Sequence, residues 1–403
     1  MASFDLTVLG SSGGPADGKT CAFLLKPSGL TFDQILDGQM NDCLLCVDAG
    51  TGISGFCEIL LLHLRNRLSQ LQKDDIDILS YYKDSLEISD YTSIETVVPF
   101  GNPREEAVAS MGVFEYASKL FNLISAYLIT HSHIDHVSGL LVNSPAFSQP
   151  VITSNSPRPR RVSLTSSKKI YSIPSAIDNI QNHLYNDLVW PDLTAAHTGS
   201  SISLMKLEPE QLVQLNCWFG VETFVISHGI IPHEHKDEMF ESSAYLITLK
   251  PPKDDGGASA DSESSFPSKL LFFGDVESDS TSISPRNHRI WREVAPLVVS
   301  GQLRAVVIEC SNYNLPKTVP LFGHMTPTHL ISEFVTLAKE CSLLSGAAYH
   351  PLDGLHVLIT HVKETDSSCD PRKIILQQLR ELNDSHDLRL NFTIALPGLT
   401  YKI

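Results

Sequence analysis

The chain has 403 residues, 42% of them hydrophobic, and a formal net charge of −16 at pH 7. That is ample apolar content for one large sandwich domain or two smaller units, while the negative balance argues against a long polyanionic partner, which needs rows of Lys and Arg to release counterions. No apolar run is long enough to span a bilayer, the start Met1-Ala-Ser-Phe-Asp5 lacks the layout of a secretory signal, and several of the eight cysteines lie inside apolar runs as free thiols would, so a cytoplasmic protein with no membrane and no nucleic-acid partner is expected.

Taken in chain order, short apolar runs predict strands at 4–10, 20–26 and 44–48. Between the first two, Gly10-Ser-Ser-Gly-Gly-Pro15 is not followed by Lys-Ser/Thr and opens no helix, which argues against a P-loop. A tight turn is expected there instead, bringing backbone near the site and placing Ser11 or Ser12 in reach of a substrate oxygen. Cys43 and Cys46 form a CxxC with no second pair nearby, too little for a structural zinc. Helical periodicity covers 53–71, and the polar, charge-rich stretch 72–102 reads as an insertion.

A strand at 125–130 then leads into His131-Ser-His133-Ile-Asp135-His136, the densest chemistry in the chain. Side chains alternate along a strand, so His131 and His133 would project to one side and grip one metal ion. Asp135 and His136 come after the turn and can point at a second ion, with Val137-Ser-Gly-Leu-Leu-Val142 starting a helix that fixes them. A carboxylate among neutral imidazoles suits zinc, with other divalent ions fitting less well. A two-metal site needs about seven protein contacts, and this segment offers four. Each remaining candidate follows a short apolar strand: His228 after 222–227, Asp275 after 269–274 and His361 after 356–360. Ligands at the ends of several strands are how a rigid sandwich presents a metal at its rim.

The other segments are quieter. Arg158-Pro-Arg-Arg161 with Lys168-Lys169 is the one basic tract, a solvated loop or a modest anion-binding one. Trp190 either stacks on a flat ligand ring or fills the core, and His183 near it either serves the site or packs. His233 and His235 read as exposed loop, His329 and His356 as helix and strand filler. Stretch 251–268, between strands at 243–249 and 269–274, is read as a second insertion with a Gly/Ser/acidic composition that opposes folding. Its excision is expected to leave metal content and turnover intact, as metal analysis and an assay of the shortened chain would show. Further strands fall at 305–309 and 390–395, and helices at 290–299, 327–340 and 371–382. His324 lies on a loop just ahead of the 327–340 helix, with Thr326 expected as N-cap and Pro327 in the first turn. Strands early, a motif turn, more strands, then alternating helix and strand describe an α/β protein: two mixed sheets face to face with helices outside, in a single domain over 1–403.

The ordered set HxHxDH, distant His, Asp, His resembles the metallo-β-lactamase superfamily. Within it, His131-Ser-His-Ile-Asp-His-Val-Ser-Gly-Leu-Leu-Val-Asn-Ser-Pro145 is similar to the signature of the class II 3',5'-cyclic-nucleotide phosphodiesterases. The likeness runs through Leu9-Gly-Ser-Ser-Gly-Gly-Pro15, Asp48-Ala-Gly50, Trp190-Pro191, Phe273-Gly-Asp-Val-Glu-Ser-Asp279, Ile308-Glu-Cys-Ser311 and Leu321-Phe-Gly-His-Met-Thr-Pro327, nearly the whole chain. It implies a metallo-β-lactamase-like αββα sandwich in which His131, His133 and His228 hold one zinc, Asp135, His136 and His361 hold the other, Asp275 bridges them, and Asp48 braces the loop without ligating. A carboxylate has two oxygens to span ions ~3.5–4 Å apart, whereas an imidazole offers each metal only one nitrogen.

A water shared by the ions, its pKa lowered towards neutrality, would be a hydroxide nucleophile on cyclic AMP, and on cyclic GMP too. The product would be the 5'-monophosphate, which lowers cyclic nucleotide signalling. The departing 3'-oxygen needs a proton from the far side of phosphorus. The resemblance implies that role for His324, so His324 and Asp135 are the expected catalytic residues. Two other readings are weaker. An RNA 3'-end nuclease of the same superfamily fits poorly with the negative charge, and an inactive scaffold fits poorly with seven competent ligand positions. A homodimer is compatible with the chain.

Overall fold

The computed structural model describes residues 3–38, 42–66, 72–97, 111–151, 160–163, 167–194, 201–232, 237–250, 267–345 and 350–403. Two sheets dominate. The first has eight strands in the spatial order Thr96–Val97, Thr400–Lys402, Phe4–Gly10, Ala22–Pro27, Leu45–Val47, Ala126–Leu128, Lys168–Ser172 and Ile202–Lys206. The second has seven, in the order Leu212–Gln214, Phe219–Ile231, Glu238–Leu249, Ser268–Phe273, Leu303–Glu309, His356–Thr360 and Asn391–Ile394. Each is mixed: its last four strands in these orders run parallel and the others pair antiparallel.

The Phe4–Gly10 strand is buried at every position, with its polar Asp5 paired to Lys26 and Thr7 bonded to Thr400. One face meets the other sheet: Phe23 of the first packs its ring edge on Phe272 of the second at 5.0 Å. The other faces are covered by helices. Ile53–Asn66 and Val113–Leu123 pack together over the first sheet, while Asn287–Val299, Pro327–Ser345 and Pro371–Ser385 cover the second. This is the αββα arrangement expected from the sequence. The helix Val113–Leu123 escaped that reading, although Tyr116, Ala117, Leu120 and Phe121 form its buried stripe at helical spacing. Strands Lys168–Ser172, Ile202–Lys206 and Thr400–Lys402 are not among the predicted ones, because runs of three to five residues that mix Lys, Ser and Thr with apolar positions carry little periodicity to detect. Among the described residues no helix is long and apolar enough to cross a membrane.

The polar stretch after the first long helix packs into the domain through a buried ionic network. Arg372 Nη1 donates to Asp370 Oδ1 at 3.0 Å, and its Nη2 pairs with Glu364. Tyr91 and Ser85 hydroxyls donate to Asp370 Oδ2 at 2.5 and 3.2 Å, and Tyr82 Oη donates to Glu364 Oε2 at 2.9 Å. Asp370 also caps the helix that Pro371 begins, accepting from Arg372 N. Replacing Arg372 by Leu would leave two buried carboxylates without their cation. We expect a loss of about 3–5 kcal/mol, read as a lower midpoint in thermal or urea unfolding; a midpoint equal to the wild type would show that the network contributes nothing. Residues 98–102 and 251–266 of the two expected insertions lie outside the described residues.

Candidate metal centre

Ligands gather where strands end. His131 and His133 follow the strand Ala126–Leu128, Asp275 follows Ser268–Phe273, and His361 follows His356–Thr360, so all four project from carboxyl ends of parallel strands, where open α/β sheets place their sites. The first strand stops at Leu128, so the His131–His133 pair sits on the link beyond it and not on the strand itself. His133 is the extended N-cap of the helix Ile134–Asn143, which puts Asp135 in its first turn. His228 lies inside the long strand Phe219–Ile231, at a register shift between Ser227 and Ile230. That irregularity, with Gly229 at φ +75°, turns His228 toward the cluster. Two carbonyls bind the sheets at this rim: Ser243 Oγ donates to Thr130 O at 2.8 Å, and Tyr245 Oη to Ile129 O at 2.5 Å.

All seven expected positions come together. His131, His133, His228 and Asp275 can each offer one atom with all four atoms within 4.8 Å of one another, and Asp135, His136, Asp275 and His361 do the same. Asp275 belongs to both sets. Its Oδ2 lies 3.6 Å from His228 Nε2, 3.8 Å from His131 Nε2 and 3.1 Å from His361 Nε2, and its Oδ1 lies 3.3 Å from His136 Nε2. His361 Nε2 also lies 3.2 Å from Asp135 Oδ2.

The donor set fits divalent ions because the far side of four of the five rings is already occupied. His136 Nδ1 bonds Asp48 Oδ2 at 2.8 Å, His228 Nδ1 donates to Gly323 O at 3.0 Å, His361 Nδ1 bonds Ser311 Oγ at 3.0 Å, and His131 Nδ1 bonds Thr130 Oγ1 at 3.1 Å. A carbonyl only accepts, so His228 carries its proton on Nδ1 and turns the Nε2 lone pair inward. Among the described residues His136 Nε2 is buried with no well-aligned hydrogen bond, facing Asp275 Oδ1 at 3.3 Å. Asp48, at φ +54°, also accepts from Thr130 N at 2.8 Å, so it holds both the loop and the ring.

Burial pushes His131, His133 and His228 down, His228 to about 4, which keeps them neutral as metal ligands must be. Burial works against the charge of Asp135 and Asp275, but the His361 and His136 rings outweigh it and hold both well below the usual carboxylate range. His136 differs. Burial opposes its charge too, yet Asp275 and Asp48 hold it well above its ordinary value; two carboxylates that favour a proton there favour a metal cation equally.

His324 stands at the edge of the cluster, buried, with Nδ1 2.8 Å from Glu309 Oε1 and 3.9 Å from Asp275 Oδ2. Burial lowers its pKa, but the Glu309 carboxylate overrides that and lifts it above the ordinary value. Glu309, within the Ile308-Glu-Cys-Ser311 motif, is a site residue that its sequence context does not assign to metal or proton chemistry. It ends the strand Leu303–Glu309 as the ligands end theirs, which was the signal available. Its oxygens also accept from Val276 N at 2.9 Å and Ser311 Oγ at 2.5 Å, so it is engaged in positioning and is a poor candidate for a metal. Phe240 carried no sequence signal; it stacks on His133 at 4.3 Å and meets His131 and His228 edge-on.

A family model of the class-II cAMP phosphodiesterases matches residues 38–398. The chain belongs to that family. It is 31% identical to a 3',5'-cyclic-nucleotide phosphodiesterase of Candida albicans, over 98% of this chain and 99% of that one. It is 30% identical to 3',5'-cyclic-nucleotide phosphodiesterase 1 of Saccharomyces cerevisiae, over 99% of each. The crystal structure of unliganded yeast PDE1 superposes with a TM-score of 0.78 at 27% identity, covering all of both chains. The fold is accordingly the metallo-β-lactamase-like sandwich.

In this class-II phosphodiesterase several secondary expectations resolve differently. Ser11 Oγ donates to Ala395 O at 2.6 Å and Ser12 is 1% exposed, so neither hydroxyl is presented to a substrate. The glycine turn does approach the site, since a Cβ on Gly13 would lie 2.4 Å from His361 Nδ1 and 2.6 Å from its carbonyl oxygen. Gly13→Ala should therefore displace His361 and lower kcat on the order of 10²-fold, with fewer ions retained; an active, fully loaded variant would show that the turn yields. Lys168 is buried with its amine on the carbonyls of Ile124, at 2.6 Å, and Asn122, so it cannot serve an anion. Trp190 Nε1 donates to Ser144 Oγ at 3.1 Å and its ring packs on the core, beyond the far end of the motif helix from Asp135, so it is no base platform. His183 is exposed on the short turn Ile180–Leu184. The Thr326 hydroxyl bonds His329 Nδ1 at 3.0 Å, and Asn314 Oδ1 accepts from Thr328 N in the helix's first turn. Arg158, His233 and His235 lie outside the described residues.

Proposed function

We propose that this phosphodiesterase hydrolyses 3',5'-cyclic AMP, and cyclic GMP as well, to the 5'-monophosphate at a pair of divalent ions, zinc before others. The observation that carries this reading is the sharing of Asp275 between two four-residue sets, four of whose five rings are tied off on their outer nitrogens. His131, His133 and His228 would hold one ion, Asp135, His136 and His361 the other. Bound there, two dications would supply positive charge for the phosphoryl oxygens and lower the pKa of water toward neutrality.

The chain's own residues do the rest. His324, its Nδ1 engaged by Glu309, presents Nε2 to deliver a proton to the departing 3'-oxygen. Asp135, with a third of its side chain exposed, is the carboxylate that faces the opening and orients incoming water. Ser311 connects the two halves, bonding Glu309 Oε2 and His361 Nδ1. A small cyclic diester needs only this local positive site, in keeping with a net charge of −16. Among the described residues the cysteines form no disulfide, as expected for a cytoplasmic enzyme. Turnover of cyclic AMP and cyclic GMP, with and without a chelator, tests the reading alongside metal analysis. Chelator-sensitive release of 5'-monophosphate with two ions per chain is expected; no turnover of either nucleotide, or turnover indifferent to the chelator, would overturn it.

A further inference from the structure

Past His324 the surface opens into a cavity of about 720 Å³ whose wall includes Leu315, Val319, Phe322, Thr326 and Ser332, a volume within the range of small-molecule sites. Phe322 is 77% exposed. It takes no part in the core and holds a left-handed backbone, φ +52°. The next residue explains how that is fixed: a Cβ on Gly323 would sit 2.6 Å from Gly229 N and 2.8 Å from His228 C. The loop bearing Phe322 and His324 therefore lies directly on the strand that supplies His228, and that contact sets the place of the loop backbone relative to the cluster.

A second cavity, of about 620 Å³, opens on the other side, where Phe240 covers His133. Among the described residues its rim carries Asp237, Glu238 and Glu241 against one base, Arg286, a balance that opposes an anionic nucleotide. If His324 protonates the 3'-oxygen, the ribose bearing that oxygen must stand on the His324 side of phosphorus. The base attached to that ribose then extends into the first cavity. We infer that the nucleobase occupies this cavity with one face on the Phe322 ring, making Phe322 a substrate-binding residue that recognises the base as such. The inference rests on the reaction proposed above.

Base–aromatic stacking is strong enough that its loss should cost about tenfold in affinity. Phe322→Ala is expected to raise KM for cyclic AMP and the inhibition constant of 5'-AMP by about tenfold each. Metal content and inhibition by ribose 5-phosphate, which has no base, should stay within about twofold, and Phe322→Tyr should retain near wild-type KM. An unchanged KM for cyclic AMP would overturn the assignment, as would equal losses for 5'-AMP and ribose 5-phosphate, which would mean that the ring only supports the loop. Failure of the unaltered enzyme to open cyclic AMP would overturn the reaction and this assignment together, whereas a flat Phe322→Ala result in an active enzyme overturns the assignment alone.

Discussion

Asp275→Ala should leave a folded chain that retains neither ion tightly and has lost activity by about 10³-fold or more. The estimate follows from the several kcal/mol of charge stabilisation that metal ions supply, at about 1.4 kcal/mol per tenfold in rate. Asp275 is 3% exposed and stands within 3.9 Å of five imidazole nitrogens, from His131, His136, His228, His324 and His361. Its removal leaves both sets without their shared carboxylate. Metal analysis, circular dichroism and turnover together make the test. A variant that keeps two ions and near wild-type turnover would remove Asp275 from the centre of the site.

His324→Ala separates proton transfer from metal binding. It should keep both ions and lose about 10²–10⁴-fold in kcat, because the 3'-alkoxide leaves poorly without a proton. The loss should shrink on a diester whose leaving group departs unprotonated, such as bis(p-nitrophenyl) phosphate. A merely structural His324 would cost both substrates equally. An effect below threefold on cyclic AMP would exclude it as the donor. Glu309 is the residue whose loss should imitate His324→Ala in part, since its carboxylate holds Nδ1 and the ring's position.

The elements most legible in the sequence were the long, strongly periodic ones. The helix Pro371–Ser385 begins where Asp370 and Pro371 announce it, and the strand Phe4–Gly10 ends at the glycine expected. The stretch 72–97 was harder. Its charges mark it as polar insertion, yet Tyr82, Ser85 and Tyr91 anchor it to Glu364 and Asp370, some 280 residues on. Composition describes a segment's average, and three well-placed side chains decided how this one packs. Trp190 shows the converse: an aromatic beside a family motif looked like a base platform, and a hydrogen bond to Ser144 holds it against the core.

By itself the sequence determined which residue types are available for a metal pair and in what order they end their strands, because strand alternation and apolar runs are local properties. Only the tertiary structure decided what stands behind them. His136 meets Asp48 across 88 residues and His361 meets Asp135 across 226, while Gly13 and Gly323 matter through backbone approaches that no periodicity encodes. Ring orientation, protonation and the direction in which a substrate can extend depend on such long-range contacts, and packing two sheets face to face is what creates them.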